Sequence, residues 1–124
     1  MGNPLYGQNK ADGFQEKQVI VIDSPALSSA GTSYAVVPWK CEVVEVRWVM
    51  NVALTTAKST LTLKSLSGTM GGTHEITASA AIGDSGVVTP TSNNIINAGG
   101  TIEIENDSAP GAGQATYVIV VKAA

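Results

Sequence analysis

A length of 124 residues and a hydrophobic content of 44% suit one domain with a single core. Charged residues make up only 14% of the chain, against about 25% in average soluble domains, and the Gly, Thr, Ser, Ala and Val that replace them favour short strands over helices. The net charge of −3, with seven scattered Lys and Arg residues, excludes a basic nucleic-acid surface, and the single cysteine excludes an intrachain disulfide or a thiolate metal cage.

Residues 1–16 differ from the rest of the chain. They are rich in Gly, Asn and Gln and have no strand or helix period, which predicts an extended N-terminal arm. The arm carries large apolar side chains at Leu5, Tyr6 and Phe14, which stabilise nothing until they are buried. Two interpretations stay open: a frayed terminus, or an arm that becomes ordered on a partner. The N-terminus lacks the basic and apolar regions of a signal peptide, and no apolar run is long enough to span a membrane, so we expect synthesis in the cytoplasm.

From Gln18 onward, apolar side chains recur with a period of two. The predicted strands, in chain order, are 19–22, 33–37, 42–52, 59–63, 73–79, 87–88, 101–106 and 115–122. Turn signals separate them, including a Gly-rich turn at 68–72 and a long loop at 80–94. Seven or eight strands without a helical segment predict an all-β domain over residues 17–124, a single antiparallel β-sandwich of jelly-roll-like type.

The alternation also predicts which side chains face the core. On strand 101–106, Ile102 and Ile104 face inward, whereas Glu103 and Glu105 face outward. The inward residues predicted on the longest strand are Val44, Val46, Trp48, Met50 and Val52. Trp39 follows a proline at a strand junction, where it either packs in the core or at its rim, or is exposed and stacks on a sugar or anchors a protein interface.

One short motif resembles catalytic sequence. Residues 83–86, Gly-Asp-Ser-Gly, copy the sequence around the nucleophile of trypsin-like proteases. Such a serine needs a distant histidine as base and a buried aspartate to orient it. The one histidine, His74, lies only eleven positions before Ser85, and the chain is too short for the protease double barrel. We therefore interpret the motif as a turn.

The remaining polar residues predict no active site. A lone histidine without a second His or a CxxC motif does not predict a metal site, and we expect the ring of His74 to be satisfied locally. Glu103 and Glu105 lie on one strand face about 7 Å apart, whereas glycosidase carboxylates come from separate elements around a cleft. The isolated acidic residues do not form a calcium loop; they are Asp12, Asp84 and Asp107. We predict no catalytic residue, no cofactor and no metal, and expect that the protein is not an enzyme.

Several segments together resemble a family of small decoration (cement) and head-fibre-like proteins of tailed bacteriophages, of the marine or cyanobacterial type. Each segment is a pattern of strands and turns, and together they cover most of the chain in the expected order. The segments are 3–9, 36–39, 42–49, 53–57, 60–64, 81–84 and 98–105. The sequence departs from the family at Cys41, where a glycine is common, so a turn with positive φ would be strained there.

The resemblance implies binding to assembled major capsid protein on the capsid exterior of the virion, often as a homotrimer, without catalysis. Our candidate capsid contacts are the apolar arm residues Pro4, Leu5, Tyr6 and Phe14. No nucleic acid or membrane partner is expected. The alternative function is a carbohydrate-binding tail or fibre module that recognises host surface glycans, which would require exposed aromatic side chains grouped on one face. A hydrolase using Ser85 and His74 is the third hypothesis.

Overall fold

The computed structural model describes residues 17–27, 29–55, 57–71, 73–107 and 112–124. The described residues form ten β-strands and no helix. The strands are β1 (Lys17–Asp23), β2 (Gly31–Val36), β3 (Cys41–Val52), β4 (Ser59–Ser65), β5 (Gly68–Thr69), β6 (His74–Ile76), β7 (Ser85–Val88), β8 (Ile95–Ile96), β9 (Thr101–Asn106) and β10 (Gln114–Ala123). The predicted arm, with Pro4, Leu5, Tyr6 and Phe14, lies outside the described residues.

The strands form two antiparallel five-stranded sheets. Sheet I has the order β1-β10-β3-β7, with β8 also paired to β3, and sheet II has the order β2-β9-β4-β5, with β6 also paired to β4. The short strands β5 and β6 pair with successive parts of β4, and β7 and β8 do the same on β3, so each pair is one interrupted strand. When each interrupted pair is counted as one strand, the ten strands become eight. Numbered afresh in chain order, these eight follow the order 1-8-3-6 in sheet I and 2-7-4-5 in sheet II, which is the connectivity of a jelly roll. The predicted all-β, jelly-roll-like sandwich is confirmed.

One apolar core fills the space between the sheets. The strict alternation of buried and half-buried residues on β4 and β9 matches the sequence pattern, and Ile102 and Ile104 are fully buried. The largest fully buried side chains are Tyr117, Leu27, Met50, Leu61, Leu63, Met70, Ile76, Ile102, Ile104, Ile119, Val37 and Val43. Each such aliphatic side chain contributes about 1.5–3 kcal/mol when it is removed from water.

The predicted inward face of β3 is wrong at both ends. The buried residues of this strand are Cys41, Val43, Val46, Trp48 and Met50. Val44 is half-buried and Val52 is 42% exposed. The pairing with β10 skips Val44 and, near the other end, Asn51, so each is an extra residue in the strand. Such β-bulges reverse the alternation of side chains, because the period along a strand is two.

Cys41 begins β3 without backbone strain. Its side chain is fully buried, and burial raises the pKa of the thiol. Among the described residues other than glycine, only Asn93 has a positive φ, of 54°. The strain expected from a cysteine at a glycine position is therefore absent, because the backbone at Cys41 is that of a strand.

Candidate functional site

An open cleft of about 300 Å³ lies between the outer edges of the two sheets, where β6 of sheet II approaches β7 of sheet I. The lining residues are Trp48, His74, Glu75, Thr77, Ala80, Asp84, Ser85 and Gly86. The fold thus brings His74 close to the Gly-Asp-Ser-Gly segment, although the two belong to different sheets.

Trp48 and His74 form the wall of this cleft. The indole Nε1–H of Trp48 donates a hydrogen bond to His74 Nε2 at 2.9 Å, and the ring centroids are 5.9 Å apart. The prediction of a locally satisfied histidine is confirmed. Trp48, predicted to be a core residue, is only 7% exposed.

Gly86 makes room for this indole. It lies opposite Trp48 in the pairing of β3 with β7. A Cβ atom at position 86 would approach the Trp48 ring to 2.6 Å, closer than carbon atoms pack. The second glycine of the Gly-Asp-Ser-Gly motif therefore has a packing role on the strand.

The cleft does not hold the arrangement of a serine protease. The Asp84 carboxylate accepts the backbone N–H of Ala81 at 2.9 Å, and the Asp84 amide donates back to the Ala81 carbonyl at 3.0 Å. This aspartate holds a turn and does not orient His74. Ser85 begins β7, and no hydrogen bond joins it to His74 in the described part of the chain. A triad requires both contacts.

A second candidate site is an apolar patch on the outside of sheet I, which we call the valine surface. It consists of Val19 and Val21 of β1 and Val118 and Val120 of β10. Val19 lies opposite Val120, and Val21 lies opposite Val118. Val19 and Val21 are each 61% exposed, and their two partners are half-buried. The outer face of an antiparallel sheet is commonly polar, so four adjacent valines there are unusual.

Polar residues border the valine surface. Glu45 and Arg47 form an exposed ion pair on β3, opposite Val120 and Val118. At one end, Thr116 Oγ1 donates to Asp23 Oδ1 at 3.0 Å. An apolar centre with a polar rim is the general organisation of a protein–protein interface.

The sequence contained the signal for this surface. Residues 19–22 and 117–121 are uninterrupted apolar runs. In a strand, alternate members of such a run must point outward. The sequence-based prediction made both runs apolar strands and assigned no outward face to either.

The other predicted residues have ordinary structural positions. Glu103 and Glu105 face outward as predicted, and Glu105 accepts a hydrogen bond from Lys64 Nζ at 3.0 Å. Trp39 is 38% exposed and Tyr34 is 61% exposed. In the described ranges, no group of three His, Cys, Asp or Glu side chains is placed to hold a metal ion, and no helix is long and apolar enough to cross a membrane.

No protein-family model matches the chain, and no curated protein matches its sequence. Among solved structures, a protein of Bacillus endospore appendages, which form a family of disulfide-linked pili, aligns with 88% of this chain and 87% of its own length, at 17% identity and a TM-score of 0.49. A chain from infectious bursal disease virus strain Gx aligns with 86% of this chain but only 32% of its own length, at 12% identity and a TM-score of 0.31. Neither similarity is strong enough to support an argument about function.

Proposed function

We propose that the protein is a non-enzymatic structural component of a tailed-phage virion, which binds the outside of the assembled capsid and stabilises it. The observation that carries the proposal is the valine surface on the outside of sheet I. A sandwich that functions alone has little reason to expose paired valines on two adjacent strands, because their burial on a partner is favourable.

The place of residues 1–16 in the sequence supports the same proposal. Residues 1–16 lead directly into Lys17, the first residue of β1, which is the strand that carries Val19 and Val21. Residues 1–16 therefore adjoin, along the chain, the strand that carries half of the valine surface. In this proposal Pro4, Leu5, Tyr6 and Phe14 contact the same capsid subunits as the valine surface.

Stabilisation of the capsid follows from thermodynamic linkage between binding and assembly. Covering a valine fully contributes about 1.5 kcal/mol or more, and a shell offers many equivalent sites at once. A protein that binds the assembled shell more tightly than its separated subunits stabilises the shell in proportion to that preference. Repeated attachment lets modest contacts produce firm binding.

The test is co-sedimentation with capsids that lack the protein. The informative variant is Val120→Lys, because Glu45 lies opposite position 120 and accommodates the new charge. The matched control is Thr62→Lys on the outside of sheet II, where Glu105 lies opposite. We expect saturable binding by the natural protein and by the control, and at least tenfold weaker binding by Val120→Lys and by a variant lacking residues 1–16. Absence of binding by the natural protein would overturn the proposal.

One observation favours the second candidate function, a carbohydrate-binding module. The cleft at Trp48 joins an indole to the polar groups of His74, Glu75 and Asp84, the combination that recognises sugars. The low exposure of Trp48 limits how much of its face a sugar ring can cover. A glycan array distinguishes the two: binding that Glu75→Ala abolishes and Val120→Lys preserves favours the carbohydrate-binding function.

A further inference from the structure

We propose that two copies of this chain join edge to edge through β1, in antiparallel orientation around a two-fold axis at Ile20, so that sheet I continues from one copy into the other. This inference is independent of the capsid proposal. It also differs from the trimer that the family resemblance implies.

The outer edge of β1 is open to pairing. One side of β1 pairs with β10 over seven residues, and no other described strand pairs with its opposite side. The strand carries no proline or bulge, and its charged residues, Lys17 and Asp23, stand only at its two ends. Its middle therefore lacks the features that usually protect an edge from pairing. The edge of sheet I opposite β1 is interrupted by contrast, because residues 89–94 separate β7 from β8. In sheet II the edge beside β4 is interrupted in the same way, by residues 70–73 between β5 and β6.

The direction of the backbone groups follows from one hydrogen bond. Ser24 N–H donates to the Ala115 carbonyl of β10 at 2.8 Å. Backbone groups alternate in direction along an antiparallel strand, so the even-numbered residues of β1 face β10. The odd-numbered residues, Lys17, Val19, Val21 and Asp23, therefore present their N–H and C=O groups at the open edge.

The sequence of β1 is complementary to itself in one register. When Ile20 lies opposite Ile20 of a second copy, Val19 lies opposite Val21 and Lys17 lies opposite Asp23. Every odd-numbered residue then lies opposite an odd-numbered residue, so the N–H and C=O groups at the two open edges can pair. The side chains of each strand also stay on the same face of the continued sheet. A shift by two residues in either direction loses the match of Lys17 with Asp23.

This register forms ion pairs and apolar contacts at the same time. Lys17 and Asp23 are both exposed in the single chain, and each would meet the opposite charge of the second copy at the two ends of the pairing. Between them, Val19 and Val21 of the two copies form one cluster that joins the two valine surfaces. The pairing of Lys17 with Asp23 is the weakest part of this interface, because the Asp23 carbonyl already accepts a long hydrogen bond of 3.5 Å from Ser33 Oγ.

The first test is the mass of the full chain against concentration, by sedimentation velocity. Val21→Pro places the proline ring at the open edge without removing a hydrogen bond to β10, which an edge strand tolerates. Val36→Pro is the matched control: Val37 N–H donates to Gly100, so the Val36 N–H points away from β9 at the edge of sheet II. We expect a monomer–dimer equilibrium that Val21→Pro weakens at least tenfold and that Val36→Pro leaves unchanged.

The second test is a charge exchange. Lys17→Asp or Asp23→Lys alone places like charges opposite one another, and we expect each to weaken the dimer at least fivefold at low salt. The double exchange restores the opposite charges and is expected to recover the dimer. Lys40→Asp is the control for Lys17→Asp, since it changes the net charge by the same amount at an exposed position outside β1.

The third test determines the register in which the two β1 strands pair. Only residue 20 lies opposite itself, at the short Cα separation of a non-hydrogen-bonded pair, which is compatible with a disulfide. Ile20→Cys should therefore form a disulfide-linked dimer faster than Ile22→Cys, which faces Gln18. A chain that stays monomeric at millimolar concentration, equal cross-linking at positions 20 and 22, or a trimer insensitive to Val21→Pro would each overturn the proposal.

Discussion

The indole of Trp48 in sheet I donates its N–H to the His74 ring of sheet II, at 2.9 Å. This hydrogen bond ties the longest strand, β3, to the short interrupted strand β6, which has only three residues of its own ladder on β4. It therefore holds a weakly paired edge of one sheet to the centre of the other.

Removal of the acceptor should destabilise the domain. His74→Ala leaves the partly buried Trp48 N–H without its partner, and we expect the free energy of unfolding to fall by about 1–2 kcal/mol. His74→Gln is the control, because its side-chain carbonyl can accept the same hydrogen bond. Urea unfolding followed by tryptophan fluorescence measures both. Equal stability of the natural protein and His74→Ala would show that the hydrogen bond contributes nothing.

A methyl group at position 86 should collide with the same indole. The Cβ atom of Gly86→Ala would lie 2.6 Å from the Trp48 ring, and we expect a loss of about 1–3 kcal/mol from overpacking. A double-mutant cycle with Trp48→Leu identifies the cause, since the loss should shrink when the ring is absent. An undiminished loss would place the effect in the backbone of β7.

Tyr117 should make the fold sensitive to alkali. Its hydroxyl is buried without a well-formed hydrogen bond among the described residues, and burial, offset only in part by the neighbouring Ser24 hydroxyl, raises its pKa to about 12. The folded chain holds the phenol proton more tightly than the unfolded chain, whose tyrosine pKa is about 10. The stability is thus fully present below pH 10 and falls by about 2–3 kcal/mol as the pH rises to 12.

Tyr117→Phe is the variant that tests whether Tyr117 causes the loss of stability in alkali. It removes the titrating group and the buried hydroxyl that lacks a well-formed hydrogen bond, so its stability at pH 7 should equal or exceed that of the natural protein. Denaturant unfolding from pH 8 to pH 12 should show a smaller alkaline loss for the variant. Identical alkaline losses would assign the effect to another group.

Cys41 should resist alkylation in the folded protein. The thiol is fully buried with a raised pKa, and the thiolate is the reactive species. We expect modification by iodoacetamide to be at least a hundredfold slower in buffer than in denaturing urea, as measured by mass spectrometry. Comparable rates in the two solutions would contradict the burial of this side chain.

Local sequence patterns were sufficient for most of the architecture. Alternation on residues 59–63 and 101–106 predicted strands with correct inward faces, because one apolar side of a sheet must be buried and the period of two is fixed by backbone geometry. The prediction for β3 was wrong at Val44 and Val52. A bulge depends on the partner strand as well as on the bulged strand, so the single strand contains no signal for it.

The sequence by itself determined the all-β class and the positions of the longer strands, since these depend on neighbouring residues. The turn predicted at 83–86 is right at Gly83 and Asp84 and wrong at Ser85 and Gly86, which belong to β7. Only the tertiary structure decided that Trp48 meets His74, residues that lie 26 positions apart in different sheets. It also decided that Val19 lies beside Val120 and that the outer edge of β1 stays unpaired among the described strands. Strand order and register decide these contacts, because they arise from the burial of one common core and not from any local segment.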